Sequence, residues 1–141
     1  MGGGHTVNLD SILTSGRAAA EERMRDTVRL YTQADGTFDR DTGTTVPGAQ
    51  TTLYTGKARV KAIAASTGQE TEAGERELVL REYEVHLPWS TTVPGARVLP
   101  GTRIEVTASA DARMAGLVLW VTGASFSDQS TAWRIRVEDR S

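Results

Sequence analysis

The chain has no cysteine, only two histidines and 6% aromatic residues in its 141 positions. Without thiols there is no disulfide framework, no thiolate metal site and no cysteine nucleophile, and this absence suits a reducing compartment. An excess of one charge is missing too. Sixteen basic residues stand against eighteen acidic ones for a formal net charge of −2, so there is no global attraction to nucleic acid and any contact with DNA must be local. No apolar run approaches the ~18 residues that span a bilayer, and the opening "MGGGHTVNLD" lacks the basic and apolar regions of a secretory signal. The expectation is a soluble protein made in the cytoplasm, without membrane contact.

At 38% hydrophobic content the chain can build one core but not two. Residues 1–8, with Gly2, Gly3 and Gly4, read as a flexible leader. From Leu9 to Val28 the apolar residues Leu9, Ile12, Leu13, Ala20, Met24 and Val28 recur at steps of three and four, the period of one helical face. Asn8 or Asp10 can cap this helix, Glu21-to-Arg25 supports it and Glu22-to-Asp26 opposes it. Gly16, which costs up to ~1 kcal/mol against alanine, marks a kink or a close packing point.

The remainder, 29–141, has period two. "TVRLYTQ" reads as a strand, and a long loop from 35 to 52, punctuated by Asp35-Gly36, Thr42-Gly43 and Pro47-Gly48, reads as a protruding arm. In the strand that follows, Ala58, Val60 and Ala62 face the core while Lys57, Arg59 and Lys61 form a cation row on the other face. A second polar loop, 64–75, leads to "RELVLREYEVHLP", whose parity breaks at Leu78 and Leu80; this implies two covered faces or a bulge near Arg81 and Glu82. "TRIEVTA" places Ile104, Val106 and Ala108 inward. "GLVLWVTGASF" is apolar throughout and reads as central, and "AWRIRVED" places Trp133, Ile135 and Val137 inward with Arg134 and Arg136 outward. The fold class is mainly β: a small antiparallel six-stranded barrel or sandwich with an N-terminal helix and long loops.

No reaction signature emerges. His5 lies in the leader, and Glu84 with His86 could hold a proton or a metal, but no third ligand accompanies them. The glycines do not form a phosphate cradle. Pro47-Gly48, Pro94-Gly95 and Pro100-Gly101 read as turns, proline fixing φ and glycine accepting a positive one. No enzyme activity, metal or cofactor is expected.

The order of helix, "LYTGKARV", "EYEVHLPWST", "LPGTRIEV" and "GLVLWVTGASF" resembles the small head-tail connector proteins of tailed bacteriophages. The likeness is to the head-completion or stopper type found in phages and prophages of actinobacteria. Tyr54 and Gly56, Leu87 and Pro88, Pro100 and Gly101, and Gly116 with Val121 carry the resemblance, over about Leu53 to Val137. Thr102 departs from it, standing where an acidic residue is commoner.

The resemblance implies a non-catalytic virion protein of the neck, assembled as a ring of six or twelve copies. The ring would lie below the portal and its adaptor and above the tail terminator or tail proteins, retaining packaged double-stranded DNA. Tail-terminator and tail-completion proteins share this length and strand content. Under this reading the arm, with Asp35, Phe38 and Arg40, meets the channel or a neighbouring subunit. The loop from His86 to Leu99, with Trp89 and Arg97, meets another ring, and Lys57, Arg59 and Lys61 make charged contacts. A second expectation, of a different class, is a monomeric OB-like module binding nucleic acid along the basic strand.

Overall fold

The computed structural model describes residues 8–63, 81–125 and 127–140. The glycine leader before Asn8, His5, the 64–75 loop and the parity break at Leu78 and Leu80 lie outside the described residues.

Helix α1 spans Leu9–Glu22, and the Asn8 side-chain oxygen accepts the Asp10 amide at 2.9 Å as its N-cap. The apolar period predicts a helix as far as Val28, but the chain leaves the helix after Glu22 and β1 runs through Asp26–Gln33. The β-branched pair Thr27 and Val28 favours the pleated surface. Val28 is fully buried as an inward residue of β1, opposite Gly56 and Val106. It continues the helical spacing only by coincidence. The expected Glu21–Arg25 and Glu22–Asp26 helix pairs therefore do not form. Asp26 instead accepts the Val60 amide at 3.0 Å and the Ser109 hydroxyl at 2.7 Å.

The further strands are β2 (Thr37–Asp39), β3 (Thr44–Val46), β4 (Gln50–Ala62), β5 (Arg81–Pro88), β6 (Arg103–Ala108), β7 (Val118–Ser125) and β8 (Ala132–Asp139). Six of them close an antiparallel barrel in the order β1-β4-β5-β8-β7-β6, with β6 returning to β1. Period-two alternation sends Leu30, Leu87, Ile104, Leu119 and Ile135 into the core, all fully buried. Ala62 and Ala108, read as inward, lie exposed at strand ends, beyond the layers that close over the core. β5 pairs with β8 from Arg81 to Pro88 without a slip, so no bulge sits at Arg81 and Glu82.

"GLVLWVTGASF" is apolar on both faces for a different reason from the expected central position, since every strand of a closed barrel has two neighbours. Its outward Trp120 is sheltered by the guanidinium groups of Arg103 and Arg140, at 4.0 and 4.5 Å from the ring centre.

The expected loop of 35–52 instead holds a two-stranded hairpin, β2 with β3, in a sheet separate from the barrel, and from Gln50 onward it is already β4. The strands escape notice in the sequence because each is only three residues long. The prolyl-glycyl pairs divide by cause. Gly95 and Gly101 have φ of 84° and 94° as a turn requires. Gly48 instead serves close approach: a Cβ there would lie 2.1 Å from the Ala34 carbonyl oxygen. The crossing from β5 to β6 covers one end of the barrel by burying Val93 and Val98 in the core.

α1 lies against β5 and β8 without burying any residue. Gly16 is the close packing point, where a Cβ would come within 2.8 Å of Thr131 Cγ2. Arg17 fastens the helix by donating to the carbonyls of Ser130 and Asp128 at 3.1 and 2.8 Å. No helix among the described residues is long and apolar enough to cross a membrane.

Candidate functional site

Strand register builds a charged surface on one side of the barrel. Arg59 of β4 stands beside His86 of β5, which stands beside Arg134 of β8; Lys61, Glu84 and Arg136 form the next rank. All six belong to the outward parity, opposite Ala58, Val85 and Ile135 in the core. Arg23, just past the helix end, leans over the same face and, with Arg59, Lys61, Glu84, His86 and Arg134, lines a recess of about 250 Å³.

The cation row of β4 is split. Lys57 pairs with Glu21 of α1 at 2.9 Å, so its charge helps hold the helix, while Arg59 and Lys61 line the recess. The Tyr-x-Gly motif beside them has a packing cause. The Tyr54 hydroxyl donates to the Lys57 carbonyl at 2.7 Å, and its ring folds over Gly56, where a Cβ would meet the Tyr54 oxygen at 2.7 Å.

His86 and Glu84 form the expected pair, Nε2 to Oε1 at 2.7 Å, largely screened from solvent. The hydrogen bond from His86, supported by the charges of Arg134 and Arg136, holds the Glu84 carboxyl below its ordinary range despite opposing desolvation. Among the described residues no three of His, Cys, Asp and Glu gather as metal ligands. A carboxylate with a depressed pKa stabilises the fold fully above its unfolded value. That contribution disappears as falling pH protonates it in the folded state. Glu84→Gln is therefore expected to flatten the acid limb of the stability curve below about pH 4.5, as read by thermal melts from pH 7 down to about pH 3. An unchanged limb would show that the pair contributes nothing there.

The other residues singled out by sequence lie elsewhere. Asp35, Phe38 and Arg40 are exposed on the hairpin, which leaves the barrel at the Gln33–Gln50 end. Arg59 is nine residues further along β4, roughly 30 Å of extended chain, so hairpin and cation face are not brought together. Trp89 and Arg97 belong to the end-covering crossing. Arg97 is exposed, whereas the Trp89 ring lies under the Arg17 guanidinium at 3.6 Å and its Nε1 donates to the Ser127 carbonyl. Trp89 thus already serves the docking of the helix. Thr102, the departure from the connector resemblance, is buried, and its carbonyl accepts the Val121 amide at 2.8 Å. Sequence reasoning missed Arg23, and it noted Arg134 and Arg136 only as outward residues. The partnership across β4, β5 and β8 depends on register, which a single strand pattern does not reveal.

These features define a closed six-stranded antiparallel β-barrel with a helix laid on its side and a hairpin at one end. The chain belongs to DUF6093, a family of unknown function whose pattern matches residues 16–138. No curated protein matches the sequence. Among solved structures, the solution structure of protein SF1141 from Shigella flexneri 2a is similar, with a TM-score of 0.50 at 20% identity. The match covers 83% of this chain and 93% of that one, and the likeness is one of fold.

Proposed function

We propose that this protein is a structural subunit of the head-tail interface of a tailed bacteriophage, acting as a head-to-tail stopper. In this reading it forms a homo-oligomeric ring between the portal and its adaptor on one side and the tail on the other, holds packaged DNA and performs no catalysis. The observation that carries the proposal is the contrast between a complete core and apolar extremities. The inward side chains of the barrel are buried, yet Phe38 and Val46 on the hairpin, Leu9 and Ile12 on the helix and Leu99 on the crossing are half or more exposed. Phe38 and Val46 also belong to successive residue pairs of the hairpin, so each of its faces presents one large apolar side chain. Large apolar residues at the tips of projections suit contacts between subunits, and the motif order points to the same place in the virion.

Particles assembled without this protein should contain filled heads that leak DNA and fail to join tails. Heads that stay full beside tails of irregular length would assign it to tail termination instead. Normal joining would overturn both assignments.

A further inference from the structure

We infer that the outer face of β4, β5 and β8 is a binding surface for the phosphodiester backbone of nucleic acid. The inference stands on the local geometry and does not require the chain to be a ring subunit. Arg23, Arg59, Lys61 and Arg134 line the 250 Å³ recess with Glu84 as its one carboxylate, a surplus of three positive charges. Since the whole chain carries −2, everything outside this recess has an excess of five negative charges. A polyanion is therefore repelled by the rest of the molecule and attracted here.

Two further observations favour an extended phosphate chain over a single small anion. A second recess, of about 490 Å³, adjoins the first and shares Glu84, Ala132 and Arg134 with it, and Arg136 lines its far side. The two form a continuous basic trough across four strands, whose floor on β7 is kept open by the small residues Gly123, Ala124 and Ser125. The cations are also spread out. Register places Arg59 and Arg134 two strands apart, ~10 Å. Over that distance one DNA strand presents about three phosphates at ~3.4 Å each along the helix axis.

The central carboxylate does not abolish the attraction. Glu84 is engaged by His86 at 2.7 Å and faces Arg136 at 3.9 Å, so its charge is partly neutralised within the ranks. Arg136 is also 4.0 Å from Glu82. Among the described residues, no ion pair engages Arg23, Arg59, Lys61 or Arg134, whereas Lys57, Arg29 and Arg113 each hold a carboxylate of their own.

The test is fluorescence anisotropy of a labelled DNA duplex titrated with the full chain at several salt concentrations, beginning at about 50 mM. The wild type should bind with an affinity that falls steeply with salt. The double variant Arg59→Gln/Arg134→Gln should bind about tenfold or more weakly, with a salt slope shallower by roughly two. Its circular dichroism should match the wild type, because neither side chain has an ion-pair partner among the described residues. Arg113→Gln, which follows β6 on the opposite side of the barrel, should leave binding unchanged. The inference is overturned if the wild type binds no duplex at about 50 mM salt, if the double variant binds as well as the wild type, or if Arg113→Gln weakens binding equally. It is also overturned if polyglutamate or millimolar inorganic phosphate displaces the duplex at equal charge concentration.

Discussion

Leu30→Ala should destabilise the protein by about 2–5 kcal/mol, the usual cost of deleting a buried leucine side chain and leaving a cavity. Leu30 is fully buried on β1, the strand that closes the barrel by pairing with both β4 and β6, and it stands between Tyr54 and Ile104. A bulge follows between Leu30 and Tyr31 on the β4 side, so the backbone there is already committed and has little freedom to collapse into the void. In a domain of this size the loss corresponds to a melting temperature lower by roughly 10 °C. Denaturant titration should show the midpoint falling while its slope stays constant. A change below about 1 kcal/mol would contradict the placement of β1 in the closed core.

Gly48→Ala should act on a different part of the molecule. A methyl group at Gly48 would lie 2.1 Å from the Ala34 carbonyl oxygen and 2.6 Å from that of Asp35, both backbone atoms that cannot rotate away. The two legs of the hairpin must then separate where the Ala34 amide meets the Ala49 carbonyl at 2.9 Å. Overpacking of this kind costs about 1–3 kcal/mol. A two-stranded hairpin has little stability to spare, so the loss should appear as local opening. Amide exchange across Thr37–Val46 should accelerate roughly 5–150-fold, while core amides such as those of Val85 and Ile135 keep their protection. Equal acceleration in both regions would mean that hairpin and barrel unfold as one unit.

How far the sequence discloses this structure depends on the length of each pattern. β8 is fully legible: Trp133, Ile135 and Val137 alternate with Arg134 and Arg136 over eight residues, and their burial follows suit. β2 and β3 are too short to show alternation. The helix is over-extended in the sequence because Met24 and Val28 are buried for tertiary reasons at positions that also fit a 3.6 period. At the candidate site, Arg59 and Lys61 are visible as a row on one strand, and Glu84 with His86 as a pair on another. Their meeting with Arg134 is a matter of register between segments far apart in the chain, and the approach of Arg23 depends on where the helix stops.

Closure of the barrel has a consequence for assembly. Where a strand of the barrel is paired on both sides it offers no free row of backbone amides and carbonyls, so neither a neighbouring copy nor a foreign strand can extend the sheet there by β-augmentation. Among the described strands an unpaired edge remains on the outer flanks of Thr37–Asp39 and Thr44–Val46 and on the first half of β4, which pairs with β1 but meets β5 only over Arg59–Ala62. Main-chain recognition is thereby directed to the hairpin and the adjoining first half of β4. Contacts made on the fully paired part of the barrel wall must be written in side chains, and can change from one relative to the next without disturbing the hydrogen-bonded frame beneath them.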